Sequence, residues 1–184
     1  QFASSAASDV YKRQGKWKMF LRYLEYRWKA RDKYALHSPF MFDFARRVLE
    51  DKRRFYAFSD INALRNSLLL NGGTIEVTDL GAKGNENRKR QRTLRELAGR
   101  VSMPEKYGEL LFRMVHFFNP EKMLELGTCL GIGSAYMAMA RQGGELTTLE
   151  GCPNLSKLAE ENFKKLHLQN IKIVQGNFDE TLDG

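Results

Sequence analysis

The chain has 184 residues, of which 28% are charged, and a formal net charge of +8. Its length suits one domain with a real core, or one domain with an accessory segment. No apolar run reaches the roughly 18 residues that span a bilayer, and no secretory signal is visible, so the sequence predicts a soluble, cytoplasmic protein. Two cysteines, Cys129 and Cys152, are too few for a disulfide framework and lack metal-ligand spacing.

The positive charge is concentrated in the N-terminal half. Residues 1–104 carry 22 Lys and Arg against 11 Asp and Glu, whereas residues 105–184 carry 8 against 11. A basic half can bind nucleic acid, an acidic substrate or an anionic surface, but solvated helix faces are the commoner explanation. Nucleic-acid binding is therefore the alternative function and not the leading one.

Both ends of the chain are expected to be cut or foreign. Residues 1–14 are Ser/Ala-rich, have no apolar period and resemble the translated adapter read-through found at the ends of metagenomic reading frames, so they are predicted to be non-native or disordered. The other end stops directly after a strand pattern. The sequence thus predicts a reading frame that is truncated at its C-terminus.

Residues 15–101 are predicted to form a mainly helical cap region. A helix over residues 16–34 carries an aromatic and aliphatic stripe from Trp17 to Trp28, which favours docking on a core over binding RNA or lipid. A second helix is predicted to follow Ser38 as its cap, with Pro39 in its first turn. His37, just ahead of it, is more often structural than catalytic in such a position.

Four more elements are predicted before residue 120. A helix over residues 59–70 ends at Asn-Gly-Gly, residues 74–80 alternate as a strand or hairpin arm, and the basic run over residues 88–100 is predicted to be a solvated helix. Residues 102–105 match a capping box with Pro in the first turn, and they open a helix. The residues predicted to face a core on that helix are Leu110, Leu111, Met114, Val115 and Phe118.

From Lys122 onward the pattern becomes strand, glycine turn, helix, strand, helix, strand. This order predicts an α/β fold with a parallel sheet, occupying residues 102–184. The first strand is Met123–Leu126, the first helix Ser134–Ala140, and the second strand ends at Glu150.

Two stretches, residues 79–84 and 125–133, end a strand with acid-Leu-Gly. A nucleotide site needs a buried strand, a glycine turn and a helix N-terminus. The second stretch has all three, and Glu150 lies 23 residues past Gly127, where a carboxylate can accept from both ribose hydroxyls. The first stretch lacks the helix and the downstream acid, so it is predicted to be a strand-terminating turn, with lining of the substrate side as the minority alternative.

The glycine spacing differs from the Gly-x-Gly-x-x-Gly of dinucleotide-binding proteins. Gly127, Gly131 and Gly133 follow the pattern Gly-x-x-x-Gly-x-Gly, and Glu125 precedes the first of them by two residues. With LTTLEG and IVQGNF downstream, this resembles the first three motifs of class I S-adenosylmethionine-dependent methyltransferases, over residues 102–182. Within that family the chain most closely resembles O-methyltransferases, and LHSPF and VTDLGA resemble the front end of uncharacterised bacterial members.

The resemblance implies the first three strands of a Rossmann-like sheet of seven strands and a site for S-adenosylmethionine. The residues that it implies for cofactor binding are Glu125, Gly127, Thr128, Gly131, Gly133, Glu150, Gly151, Cys152, Asn177 and Phe178. In the family, Glu125 would hold the methionine amino end, the glycine turn would admit the cofactor, and Glu150 would bind the ribose. Gly151 and Cys152 would lie beside the adenine.

The remaining positions depart from the family pattern or follow it loosely. Asn177 stands where an acid commonly accepts from the adenine amino group, and its carbonyl can still accept. Phe178 would pack on the base. Many members have a serine in place of Gly133, with its hydroxyl on the methionine carboxylate, whereas here Ser134 lies one residue further on.

The resemblance implies methyl transfer from S-adenosylmethionine to a small-molecule acceptor, most simply an oxygen. Such a transfer is an in-line displacement, so the protein mainly positions donor and nucleophile and excludes water. No catalytic base or metal ligand is identified, because the family carries them after the fourth strand, and the chain by itself is expected not to turn over. The alternatives are a nucleic-acid-binding module or an RNA methyltransferase. The N-terminal helices would cover the active site or form a homodimer contact.

Overall fold

The computed structural model describes residues 17–29, 37–79 and 88–177. The chain divides into two compact units, Gln1–Arg46 and Arg47–Gly184. The predicted leader, the tip of the 79–84 turn and Phe178 lie outside the described residues. None of the described helices combines the length and the apolar character that crossing a bilayer requires.

The first unit contains a helix over residues 17–29, α1, and a second helix, α2, Pro39–Phe44. Ser38 caps α2 as predicted, because its hydroxyl accepts from the Met41 backbone N–H at 3.4 Å, and Pro39 opens the helix. The apolar stripe of α1 is exposed, from 46% at Leu24 to 95% at Trp28. Its docking on a core, like the homodimer contact, stays a prediction.

The described residues of the second unit form four longer helices, one short helix and five strands. The helices are α3, Tyr56–Leu70; α4, Leu94–Glu96; α5, Glu105–Phe118; α6, Ile132–Ala140; and α7, Pro153–Lys165. The strands are β1, Thr74–Asp79; β2, Arg88–Thr93; β3, Lys122–Leu126; β4, Glu145–Glu150; and β5, Ile171–Gln175. Two π-helical turns, Ala45–Leu49 and Leu97–Val101, follow α2 and α4.

Strands β3, β4 and β5 form a parallel sheet in that order, with α6 and α7 as the connections. The α/β fold class and the three parallel strands predicted from the sequence are confirmed. In the described part of the chain β3 is an edge strand, and its Leu124 and Leu126 are 57% and 53% exposed. The carboxyl ends of β3 and β4 lie side by side, which brings the two predicted site loops together.

The prediction of a helix over the whole basic run is wrong. Residues 88–93 are β2, which pairs antiparallel with β1 from Thr74↔Thr93 to Asp79↔Arg88. The β1 side chains Ile75 and Val77 pack against the core, so β1 is fixed there and its backbone groups need a partner strand. Cross-strand pairing thereby overrides the local preference, and helix begins only at Leu94.

The predicted capping box at Ser102 is also wrong. Helix α5 begins at Glu105 after Pro104, no side chain caps it, and Ser102 is buried. The buried residues of α5 are Gly108, Phe112 and Val115, whereas Phe118 is 53% exposed. Gly108 allows α5 to pack closely on α6, because a Cβ at this position would lie 2.2 Å from the ring of the buried Tyr136.

Candidate functional site

The glycine turn between β3 and α6 is anchored to the neighbouring strand. The backbone N–H groups of Gly127 and Thr128 both donate to the carbonyl of Leu149, at 2.9 and 3.3 Å. Gly131 then caps α6 with a left-handed φ of 76°, so the helix N-terminus opens at the carboxyl end of the sheet. Helix α6 begins at Ile132, two residues earlier than predicted, which places Gly133 in its first turn and not in the loop before it.

The Glu150 carboxylate joins the glycine turn to the loop after β4. One oxygen accepts from the Cys129 N–H at 2.8 Å, and the other accepts from the Cys152 N–H at 2.9 Å. Glu150 is 9% exposed, so both bonds are largely shielded from water. Each carboxylate oxygen retains a further acceptor position, and two adjacent hydroxyls are the kind of group that could use both.

A second carboxylate, that of the half-buried Glu125 on β3, accepts two hydroxyl groups. Ser134 Oγ and Thr148 Oγ1 both donate to Glu125 Oε2, the latter at 2.7 Å. Thr128 Oγ1 lies 2.7 Å from Thr148 Oγ1. Because a carboxylate can only accept, the Thr148 hydrogen is committed to Glu125, and Thr128 donates to Thr148. The hydrogen bonds among the four side chains therefore converge on Glu125, one from Ser134 and the other from Thr148, which itself accepts from Thr128.

Burial raises the pKa of Glu125 above its ordinary value, and the nearby Glu150 charge adds to this rise. The hydrogen bonds from Ser134 and Thr148 act in the opposite direction, since they stabilise the ionised form. The pKa of the Cys129 thiol is raised to about 11, chiefly by burial. Cys129 is therefore a protonated thiol at neutral pH, and its backbone N–H is the group that contacts Glu150.

The three glycines of the motif are required for different reasons. At Gly127 φ is 94° and a Cβ would meet no atom within 4 Å, so this position faces open space. At Gly131 a Cβ would lie 2.4 Å from the ring of Phe163, so helix α7 packs directly against the turn. At Gly133 a Cβ would lie 2.9 Å from Glu125 Oε1, so its absence leaves that oxygen uncovered on this side.

The β1–β2 hairpin docks on the loop after β4. The Thr78 N–H donates to Cys152 Sγ at 3.3 Å, and Asn154 Nδ2 donates to the Glu76 carbonyl at 2.8 Å. Two side chains at the start of α7 thus cover the edge of β1 that β2 leaves free. Since β1 leads into the 79–84 turn, that turn begins beside the candidate site, and its role as a wall of the acceptor pocket stays a prediction.

The structure brings most of the sequence-predicted residues to the adjoining carboxyl ends of β3 and β4 and the segments that follow them. These residues are Glu125, Gly127, Thr128, Gly131, Gly133, Glu150, Gly151 and Cys152. Asn177 follows β5, whose end is tied to the same place because the Gly176 N–H donates to the Glu150 carbonyl at 3.1 Å. Phe178 lies outside the described residues. The role of each residue toward a ligand stays a prediction.

Two residues near the site, Thr148 and Met103, were not identified from the sequence. Thr148 donates to Glu125, and the end of the Met103 side chain would lie 3.5 Å from a Cβ at Gly133. Ser134, which the sequence placed one residue beyond the family's serine, donates to Glu125. The Met103 carbonyl is held by Arg65 of α3 at 2.7 Å. Thr148 could have been found, since it lies two residues before Glu150 and therefore points to the same face of β4. Met103 has no such signal, because its placement depends on α3.

Replacing Glu125 by Gln is expected to remove a pH dependence of stability. Because the folded-state pKa is raised, the folded chain favours the protonated carboxyl more than the unfolded chain does. The contribution of this group is fully present below the unfolded pKa and is lost as pH rises through the folded pKa. Thermal unfolding measured from about pH 4 to about pH 8 should show Glu125→Gln gaining stability relative to the wild type as pH rises.

The exposed Glu121, next to β3, offers a matched control for the preceding experiment. Its side chain is exposed, so Glu121→Gln is the control for removing one carboxylate from the chain. A Glu125→Gln variant whose difference from the wild type stays constant across the pH range would contradict a raised pKa of Glu125.

No protein-family model matches the chain. Over 58 residues it is 38% identical to the protein-L-isoaspartate O-methyltransferase of Methanococcus aeolicus, a match that covers 31% of this chain and 27% of that protein. Similar solved structures include an O-methyltransferase of Bacillus cereus in complex with S-adenosylhomocysteine (SAH), with TM-score 0.46 and 16% identity, covering 77% of this chain and 51% of that chain. An SAH-bound methyltransferase of Podospora anserina has TM-score 0.49 and 14% identity, and the match covers 80% of this chain and 53% of that chain. The chain spans about a quarter of the curated relative and about half of these solved chains.

Proposed function

We propose that this chain is the donor-binding part of an S-adenosylmethionine-dependent methyltransferase. The observation that carries the proposal is the placement of Glu150, whose buried carboxylate lies between the glycine turn and the loop after β4. A carboxylate at the end of the second strand, beside a helix N-terminus, suits the ribose of an adenosyl group. The short match to a curated O-methyltransferase supports the same class of enzyme.

The residues present fit the cofactor at both of its polar ends. Glu150 can accept from the ribose hydroxyls, and Glu125, which lies on the neighbouring strand β3 opposite Thr148, can accept from the ammonium of the methionine part. Gly127 leaves open space between them, as a ligand that runs along the turn requires. Gly151, Cys152, Asn177 and Phe178 would surround the adenine.

S-adenosylmethionine, when bound, supplies an electrophilic methyl group on a sulfonium. The residues of this chain would hold the donor by its ribose and amino ends, and the turn would exclude water from one side of it. The acceptor that we propose is an oxygen of a small molecule. We expect the 184-residue chain to bind the donor without turning it over, and methylation by this chain alone would contradict that expectation.

Nucleic-acid binding has less support from the described residues. On β2, Lys89 pairs with Glu76 at 2.9 Å and Arg92 pairs with Glu96, so part of the basic charge is already compensated within the fold. Binding to RNA or DNA that weakens steeply with rising salt would nevertheless restore an RNA methyltransferase as the better description.

Calorimetric titration with SAH tests the proposed function directly. SAH is expected to bind the 184-residue chain in a one-to-one complex, because it has the same ribose and amino-acid ends as the donor and lacks only the methyl group. The matched comparison is NAD, which also carries an adenosine ribose but needs the dinucleotide glycine spacing that this chain lacks. Absence of SAH binding, or equal affinity for NAD, would overturn the proposal.

A further inference from the structure

Among the described residues, the hydroxyls that contact Glu125 donate to one of its two oxygens, Oε2. Ser134 Oγ and Thr148 Oγ1 both donate to Oε2, and Thr128 supports Thr148 from behind. Ser134 and Thr148 are fully buried, so water does not compete for these bonds. The side-chain rotamer of Glu125 is thereby fixed from two directions.

The other oxygen, Oε1, is next to Gly133. A Cβ at this position would lie 2.9 Å from Oε1, closer than real Cβ contacts allow without movement. A serine in place of Gly133, as in the O-methyltransferases that the sequence resembles, would therefore displace the carboxylate or contact it. In this chain the serine lies one residue further on, and its hydroxyl is used on Glu125.

The hydroxyls of Ser134 and Thr148 also offset part of the free-energy cost of ionising Glu125. Burial and the charge of Glu150 both favour the neutral form of Glu125. Two donated hydrogen bonds favour the ionised form, which is the form that can receive a cationic group. A half-buried carboxylate held in this way has one oxygen left to accept from a cationic group.

We propose that Ser134 and Thr148 are positioning residues that hold Glu125 with Oε1 free to accept from the ammonium group of the donor's amino-acid end. This inference rests on the proposed function. It assigns recognition of that end to Glu125 and its two hydroxyl partners, with Ser134 acting on the protein and not on the ligand carboxylate.

The test compares SAH with 5′-methylthioadenosine, which keeps the adenosine and the sulfur but lacks the amino-acid end. Ser134→Ala and Thr148→Val are each expected to weaken SAH binding about tenfold, the effect of one hydrogen bond to a charged group. Neither variant should change the affinity for 5′-methylthioadenosine, because that ligand makes no contact with Glu125.

Two further variants keep the result interpretable. Thr148→Ser retains the donor and should keep the wild-type affinity for SAH, whereas Ser67→Ala on α3 removes a hydroxyl that bonds only the Leu64 carbonyl and should change neither ligand. Equal weakening of both ligands by Ser134→Ala and Thr148→Val, or no weakening of SAH, would overturn the inference while leaving the proposed function intact. A wild-type chain that binds neither ligand would instead overturn the proposed function, and this inference with it.

Discussion

Replacing Glu150 by Ala is expected to abolish detectable SAH binding and to destabilise the ligand-free chain. The substitution leaves the N–H groups of Cys129 and Cys152 without their acceptor in a buried place, at about 1–3 kcal/mol each. It also removes the acceptor for both ribose hydroxyls, which should weaken binding by about a hundredfold or more. Calorimetry with SAH and chemical unfolding of the ligand-free chain measure the two effects separately.

Glu150→Gln separates the loss of charge from the loss of shape. The amide keeps one oxygen for one of the two backbone N–H groups, but its NH₂ faces the other, so one bond is replaced by a donor–donor conflict. We expect a smaller loss of stability than in Glu150→Ala and a comparable loss of SAH binding. Glu145→Ala, at the exposed start of the same strand, is the control and should change neither quantity. Unchanged SAH affinity in Glu150→Ala would exclude Glu150 from the ligand site.

The sheet and its two loops could be predicted from the sequence because their signals are local. Strand, turn and helix follow one another within residues 122–150, and a left-handed turn residue such as Gly131 is visible as a glycine. The same is true of Glu150, which ends a short strand pattern and is followed directly by Gly151. Parallel neighbours then bring Glu125 and Glu150 to one end of the sheet without further information.

The parts that could not be predicted depend on contacts between distant segments. The basic run 88–93 has no apolar alternation of its own, and it is a strand because β1 offers it a paired edge. Likewise, Cys152 appears in the sequence as a small loop residue, but its sulfur accepts a backbone bond from Thr78, 74 residues away. Ser102 matches a helix cap by spacing, yet its hydroxyl is buried and α5 begins later. Local patterns carry no information on such pairings.

Gly131→Ala and Gly127→Ala are expected to separate folding from binding within one turn. Both glycines have a left-handed φ, 76° and 94°, so an alanine at either position costs about 1–2 kcal/mol in backbone strain. At Gly131 the new Cβ would also lie 2.4 Å from the buried Phe163 ring, which brings the loss of stability to roughly 2–5 kcal/mol. Chemical unfolding of the two ligand-free variants should therefore rank Gly131→Ala as clearly the less stable.

The affinity of the folded chains for SAH should follow the opposite order, with Gly127→Ala the weaker binder. At Gly127 no described atom beyond the two neighbouring residues lies within 4 Å of the new Cβ, so the space that it enters is the space that we assign to the ligand. A folded Gly127→Ala chain is therefore expected to lose SAH binding, whereas the fraction of Gly131→Ala that remains folded should still bind. If Gly127→Ala binds SAH as the wild type does, the ligand does not approach the turn, and the assignment of this turn as the donor site is wrong whatever Gly131→Ala does to stability.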